Sequence, residues 1–152
     1  MDAFTPSDPD YAQRIRDSFE RQKVMALIGA RLGEIVPGRV TIELPYRDDL
    51  VQQHGYLHAG IVGTIADSAG GYAAYTLMPA GSSVLSVEYR MHLLAPADGE
   101  RLIASGRVVR AGRTLTVCEL EVEAVKDGAR TRCAWGSQTL ICLRDRADGP
   151  AR

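Results

Sequence analysis

Between Asp49 and Glu88 the chain carries one Asp, Glu, Lys or Arg, the carboxylate of Asp67, set in the run "QQHGYLHAGIVGTIADSAGGYAA" from Gln52 to Ala74. An ionised carboxylate taken out of water is costly unless it is paired or hydrogen-bonded. An isolated one in an apolar segment is therefore either turned to solvent or held there for chemistry. Held for chemistry, it can serve as a general base toward water or attack as a nucleophile. Gln52 and Gln53 stand upstream, each able to donate and accept through one amide, with two imidazoles, His54 and His58, beside them. A second grouping lies farther on, where Arg110 and Arg113 bracket Gly112 in "RAGR". Guanidinium groups match phosphate oxygens bidentately and the glycine permits a tight turn between them; the plain alternative is a solvated turn.

Other chemistries find no support. The chain has no GxGxxG, P-loop, HExxH or GxSxG pattern, so nucleotide cradling, zinc hydrolysis and serine hydrolysis have no motif to rest on. Cys118, Cys133 and Cys142 are odd in number and form no CxxC pair, and read as buried reduced thiols rather than a disulfide frame or a metal site. A net charge of -1 supplies no field for nucleic acid. The opening "MDAFTPSDPD" lacks a basic n-region and an apolar h-region, so a cytoplasmic location is expected.

The elements that must position these groups are legible in outline. At 152 residues with 45% hydrophobic and 24% charged side chains, the chain has the size and balance of one globular domain. Ser7 or Asp8 can cap a first helix with Pro9 in its first turn, and Tyr11, Ile15 and Phe19 recur at helical spacing toward Gly29. After a Pro37-Gly38 turn, Val40, Ile42 and Leu44 alternate with Thr41 and Glu43, as in a hairpin strand. The segment from Tyr56 to Met78 is too rich in Gly, and too poor in basic flanks, for a membrane span, and reads as a buried helix ending near Met78-Pro79. Small residues at Ala59, Gly63, Ala66 and Gly70 form a stripe along it that lets another backbone approach closely. Tyr72, Tyr75 and Met78 read as core.

From Ser83 the period becomes two, with Leu85, Val87, Tyr89, Met91 and Leu93 on one face of a half-buried strand and Ser86, Glu88, Arg90 and His92 on the other. Strands are expected in "RLIASGRVVR", "TLTVCELEVEAV" and "TRCAWGSQTLICL", the last two joined by a "KDG" turn, which makes the second half an antiparallel meander. Residues 1–30 form an N-terminal helical segment, 31–144 the main domain and 145–152 a loose tail.

A long small-residue helix between a first strand and a four-strand meander implies an α+β architecture, a curved antiparallel sheet wrapped around a central helix. With "GYLHAGIVGTIAD" and "VVRAGRTL", this arrangement resembles the hotdog fold, specifically the phenylacetate-degradation (PaaI-like) type of acyl-CoA thioesterase, over residues Leu32 to Leu143. The family's signature is similar to H-G-G with an acid nine positions after the His and an Asn or Gln six before it, a spacing that His58, Asp67 and Gln52 keep. Ala59 stands where the first Gly of the signature usually stands, which raises the question whether that position requires a positive φ.

The resemblance implies a role for each candidate. Asp67 is general base or nucleophile, and the amides at the helix start, Ala59 with Gly60, form the oxyanion site. Gln52, with Gln53 as its rival, orients a lytic water or the carbonyl. His58 orders the helix start, and Ser86 brings a hydroxyl to the acid. Arg110, Gly112 and Arg113 form a turn for the phosphates of coenzyme A. The implied substrate is an acyl- or aryl-CoA, with no metal and no cofactor beyond the coenzyme A it carries, and no nucleic acid or membrane partner. On one straight helix Ala59 and Asp67 lie about 12 Å apart, so a single carbonyl cannot reach both. A homodimer with shared sites, paired further into a homotetramer, resolves this. Two alternatives remain open: an enoyl-thioester hydratase on the same fold, for which His58 or His54 is essential, and a non-catalytic acyl-CoA-binding protein.

Overall fold

A computed structural model describes residues 4–150. Helices α1 (Tyr11–Arg21) and α2 (Lys23–Ile28) lead into the hairpin β1 (Arg31–Val36) and β2 (Arg39–Pro45), then α3 (Ala59–Tyr75) and the strands β3 (Ser83–Leu93), β4 (Arg101–Ala111), β5 (Leu115–Lys126) and β6 (Ala129–Leu143). The strands form one antiparallel sheet in the order β1-β2-β4-β5-β6-β3. It curves around α3, which packs against β2, β3, β4, β5 and β6. This is the expected α+β hotdog architecture.

The small-residue stripe explains the close fit. A Cβ on Gly106 of β4 would lie 2.4 Å from the backbone of Ala69 and Gly70, so helix and strand approach to backbone contact there. The stripe is thus occupied by the chain's own sheet. Ile65, Ala66, Ala69 and Ala73 are fully buried with Ile42, Leu44, Leu102, Leu120 and Leu140 from the strands. Ile15, Met25 and Ile28 of the N-terminal helices belong to the same core. Asp127 and Gly128, both at positive φ, make the turn from β5 into β6.

Five expectations are corrected. The first helix is broken at Gln22, whose extended backbone (φ -75°, ψ 94°) separates α1 from α2. Its start is capped by neither Ser7 nor Asp8: the N-cap position is Asp10, without a side-chain cap bond, while the Ser7 hydroxyl donates to the Leu77 carbonyl and Asp8 accepts from the Asp10 N–H at 2.9 Å. The last four strands are not a meander, because β3 pairs with β6 at the sheet edge and not with β4. Nor does β3 keep a single alternation. Its register with β6 shifts between Ser86 and Glu88, and this bulge lets both Ser86 and Tyr89, three residues apart, reach α3. As an edge, β3 is largely exposed rather than half buried.

Burial pushes the thiols of Cys118 and Cys133 up, to about 12 and about 11, so both remain protonated at neutral pH. All three cysteines are free and buried, and no group of three or more His, Cys, Asp or Glu among the described residues is arranged to hold a metal. No helix among them is long and apolar enough to cross a membrane.

One arginine ties the N-terminal helix to α3. The four last carbonyls of a helix lack intrahelical partners and carry its negative dipole end, so a cation is favoured there. Arg14 sits at this end of α3, donating to the carbonyl of Tyr75, its last residue, at 3.0 Å and to those of Met78 at 2.8 Å and Pro79 at 2.6 Å in the turn that follows. Its Nε lies 3.3 Å from Asp8 and its guanidinium carbon 4.2 Å from the centre of the Tyr75 ring. Arg14→Met is expected to lower stability by about 2–4 kcal/mol, since it removes three charge-assisted bonds at once, leaves the Met78 carbonyl without a donor among the described residues and deprives the buried Asp8 of its cation. Urea unfolding measures this, and a loss under about 0.5 kcal/mol would contradict the role.

Candidate active site

The residues before α3 form a tight loop closed by the Val51–Leu57 bridge. The N–H of Gln52 donates to the Tyr56 carbonyl at 2.9 Å, and its side-chain oxygen accepts from the N–H of His54. The amide NH2 of Gln52 is then the group left to meet a ligand. His58 is the N-cap. Its Nδ1 accepts from the Gly60 N–H at 2.9 Å, and its carbonyl accepts from Ile61 and Val62. The Gly60 amide is therefore engaged, whereas the N–H of Ala59, first residue of the helix, has no backbone acceptor within it. Among the described non-glycine residues only Asp127 and Asp145 have positive φ, so Ala59 enters the helix without strain. An alanine can take the place of the glycine there.

Two turns along α3, Asp67 is half-buried and held through one oxygen. Its Oδ1 accepts from the Ser86 hydroxyl and from the Gln138 amide, each at 2.6 Å. The same amide nitrogen lies 3.1 Å from the Asp67 carbonyl and 2.9 Å from Ser86. Oδ2 has no hydrogen-bond partner among the described residues. Gln138 is fully buried. Its amide oxygen sits against Gly70, where a Cβ would approach within 1.9 Å of it.

One chain therefore holds two separate clefts. Asp67 and Ser86 line a cavity of about 860 Å³ between α3, β3 and the N-terminal helices. Gln52 and Ala59 line a second one of about 500 Å³ with Tyr56, Leu94 and Pro96. The structure brings Ser86 to Asp67, and Gln52 to Ala59, but joins neither pair to the other. Arg110 and Arg113 lie exposed at the β4–β5 turn and line neither cavity. Gly112 is required by that turn, since a Cβ would lie 2.6 Å from the Leu115 carbonyl oxygen that its own N–H binds at 2.9 Å.

The sequence reading missed two residues. Gln138 falls on the inward register of β6 with Gly136, Leu140 and Cys142, and a lone polar side chain on an apolar face is the signal that could have found it. Gln22 left no such signal. Its amide donates to the Tyr72 hydroxyl at 2.9 Å and accepts from Ser68 at 3.2 Å, which turns Tyr72 from a plain core residue into part of the wall beside Asp67. Tyr75 and Met78 are core.

Known proteins share this fold. The model of the thioesterase superfamily matches residues 54–130. A relative from Halobacterium salinarum, provisionally named an esterase, is 30% identical over 90% of this chain and 95% of its own. A crystal structure of a thioesterase family protein from Silicibacter pomeroyi is 50% identical, with a TM-score of 0.87 over 88% of this chain and 98% of that one. The PaaI protein of the E. coli phenylacetic acid degradation operon shares the fold at 17% identity, with a TM-score of 0.78 over 88% of this chain and 94% of that one. The chain belongs to the thioesterase superfamily and is a thioester hydrolase.

Gly70→Ala tests the packing that holds Gln138 against Asp67. The added methyl cannot fit beside the Gln138 oxygen and Leu120, so the variant is expected to lose about 1–3 kcal/mol of stability. Thermal unfolding reads the loss, and an unchanged midpoint would show that this contact is slack.

Proposed function

We propose that the protein is an acyl-CoA thioesterase of the PaaI-like type, hydrolysing an acyl- or aryl-CoA to the free acid and coenzyme A in the cytoplasm. The observation that carries this reading is the Asp67 carboxylate, fixed through Oδ1 by Ser86 and Gln138 with Oδ2 left free in a cavity. In this reading Oδ2 takes a proton from water as the water attacks the thioester carbonyl carbon. The carbonyl oxygen gathers negative charge against the Ala59 N–H at the positive end of α3, and Gln52 orients the reacting group with its NH2. The C–S bond then breaks, and the proton held by Asp67 goes to the departing thiolate. Every group needed is a side chain or a backbone amide, so no metal or further cofactor takes part.

The separation of the two clefts supports a homodimer in which the Ala59 end of one α3 faces Asp67 of the partner. A surface for such pairing is available. The free edge strand β3 exposes Leu85, Val87, Tyr89 and Leu93, each by about half of its area. Such an uncovered apolar edge is a site of strand or face pairing. Pairing of two dimers into a tetramer completes the proposed assembly. Arg110 and Arg113, exposed and without an ion-pair partner among the described residues, are suited to the phosphates of coenzyme A. The hydratase alternative, which asks His58 or His54 to carry protons, is less well supported for His58, because its Nδ1 serves as the helix cap.

Release of free thiol from a panel of alkyl- and aryl-CoA esters tests the activity. Asp67→Asn preserves shape and is expected to fold, while turnover falls by roughly 10²-fold or more through loss of the base. Unchanged hydrolysis in this variant would remove Asp67 from the mechanism.

A further inference from the structure

The wall of the Asp67 cavity opposite its apolar side chains is a cluster of hydroxyls and one amide. Val84, Leu85, Leu140 and Pro150 supply the apolar part of the lining. Facing them are Ser18 of α1, Gln22 from the break between α1 and α2, and Ser68 and Tyr72 of α3. Ser18 and Ser68 are 8% exposed and Tyr72 3%, so each needs its hydrogen bonds met within the protein or the cavity.

Counting protons shows that they are not all met. The hydroxyls of Ser18, Ser68 and Tyr72 carry one donor each and the Gln22 amide two. The cluster makes three bonds among these groups: Ser18 to Tyr72 at 3.2 Å, Gln22 to Tyr72 at 2.9 Å, and Ser68 to Gln22 at 3.2 Å. Two protons are left over, one on the Ser18–Tyr72 pair and one on the Gln22 nitrogen, and turning the amide over leaves the same number. Burial raises the Tyr72 phenol above its ordinary range, so its proton stays in place. An orphaned buried donor such as that of the Ser18–Tyr72 pair is rare in proteins, and where it lines a cavity a water or a ligand acceptor must meet it; the half-buried Gln22 amide lines the same cavity. The charges on the wall set the kind of acceptor. Arg21 is tied to Asp148 at 2.6 Å, and Glu20 and Asp67 offset Lys23, which leaves no net positive field for an anion.

We propose that Gln22, Tyr72 and Ser18 determine acyl-group specificity, by favouring a thioester whose acyl portion carries a neutral oxygen acceptor, an ether, keto or hydroxyl oxygen, away from the thioester carbonyl. The apolar side of the same cavity holds the hydrocarbon part. At about 860 Å³ it has the size of a small-molecule pocket. The assignment rests on the proposed thioesterase reading, in which the acyl group lies beside Asp67. Specificity by hydrogen bonding is effective because an analogue lacking the acceptor leaves the wall unpaired.

The test compares octanoyl-CoA with a series of esters in which an ether oxygen replaces one methylene at successive positions, in the wild type and in Tyr72→Phe, Gln22→Met and Ser18→Ala. Tyr72→Phe and Gln22→Met are expected to lower kcat/KM for the best ether ester about five- to tenfold more than for octanoyl-CoA, as removal of one such bond would. Ser18→Ala, the mildest change to the fold, should shift the same ratio in the same direction. An unchanged ratio in all three, with both esters still hydrolysed, overturns this assignment and leaves the thioesterase reading intact. Failure of the wild type to hydrolyse any ester of the series overturns both.

Discussion

Gly106 allows β4 and α3 to meet at backbone distance, Gly70 makes room beside it for Leu120 of β5 and Gln138 of β6, and the setting of Asp67 follows from these contacts. A Cβ at Gly106 would fall 2.4 Å from the Ala69–Gly70 backbone, and one at Gly70 would fall 1.9 Å from the Gln138 amide oxygen. The helix is therefore seated at one depth and one rotation. At that rotation Asp67 meets Ser86 across the β3 bulge and Gln138 on β6, while Gly71 and Tyr72, one turn on, face the same cavity. The usual cost of glycine in a helix, about 1 kcal/mol relative to alanine, is offset here by the precision with which a half-buried carboxylate is held.

The same rigid helix separates the chemistry into two halves. Its first turn presents the free Ala59 amide beside Gln52, with His58 engaged as cap, and its middle presents Asp67 in another cleft. At its far end Arg14 binds the carbonyls of Tyr75 and Met78, which anchors α1 there, and the Gln22 break lies against Ser68 and Tyr72. The residues that would act on the thioester and those that would sort its acyl group are thus carried by one element whose two ends are fixed by different parts of the chain.

The central run was the most legible part of the sequence, because its information is local. An isolated acid, a His that caps, small residues at every third or fourth position and period-two strands all report on near neighbours, and α3, β2, β4, β5 and β6 fall where those patterns put them. Two features depend on contacts distant in sequence and were not legible. The bulge in β3 arises from pairing with β6, about fifty residues on, and it overturns a face assignment made from alternation alone. The break at Gln22 interrupts a pattern that reads as continuous helix, and its side chain is held by α3. Gln138 lies between these cases: its place in the register was readable, but its partner, the Asp67 carboxylate, was not.

In the proposed assembly the Ala59–Gln52 half and the Asp67–Ser86 half work together across two subunits. The direct measurement is activity after co-refolding Asp67→Asn chains with Gln52→Ala chains, each of which alone is expected to be inactive in the proposed dimer. With shared sites, a mixed dimer holds one doubly defective site and one intact site. Random mixing makes half of the dimers mixed, so roughly a quarter of wild-type activity should return. No recovery, with the mixed dimers demonstrated by native mass spectrometry, would place the whole site within one subunit and contradict the account.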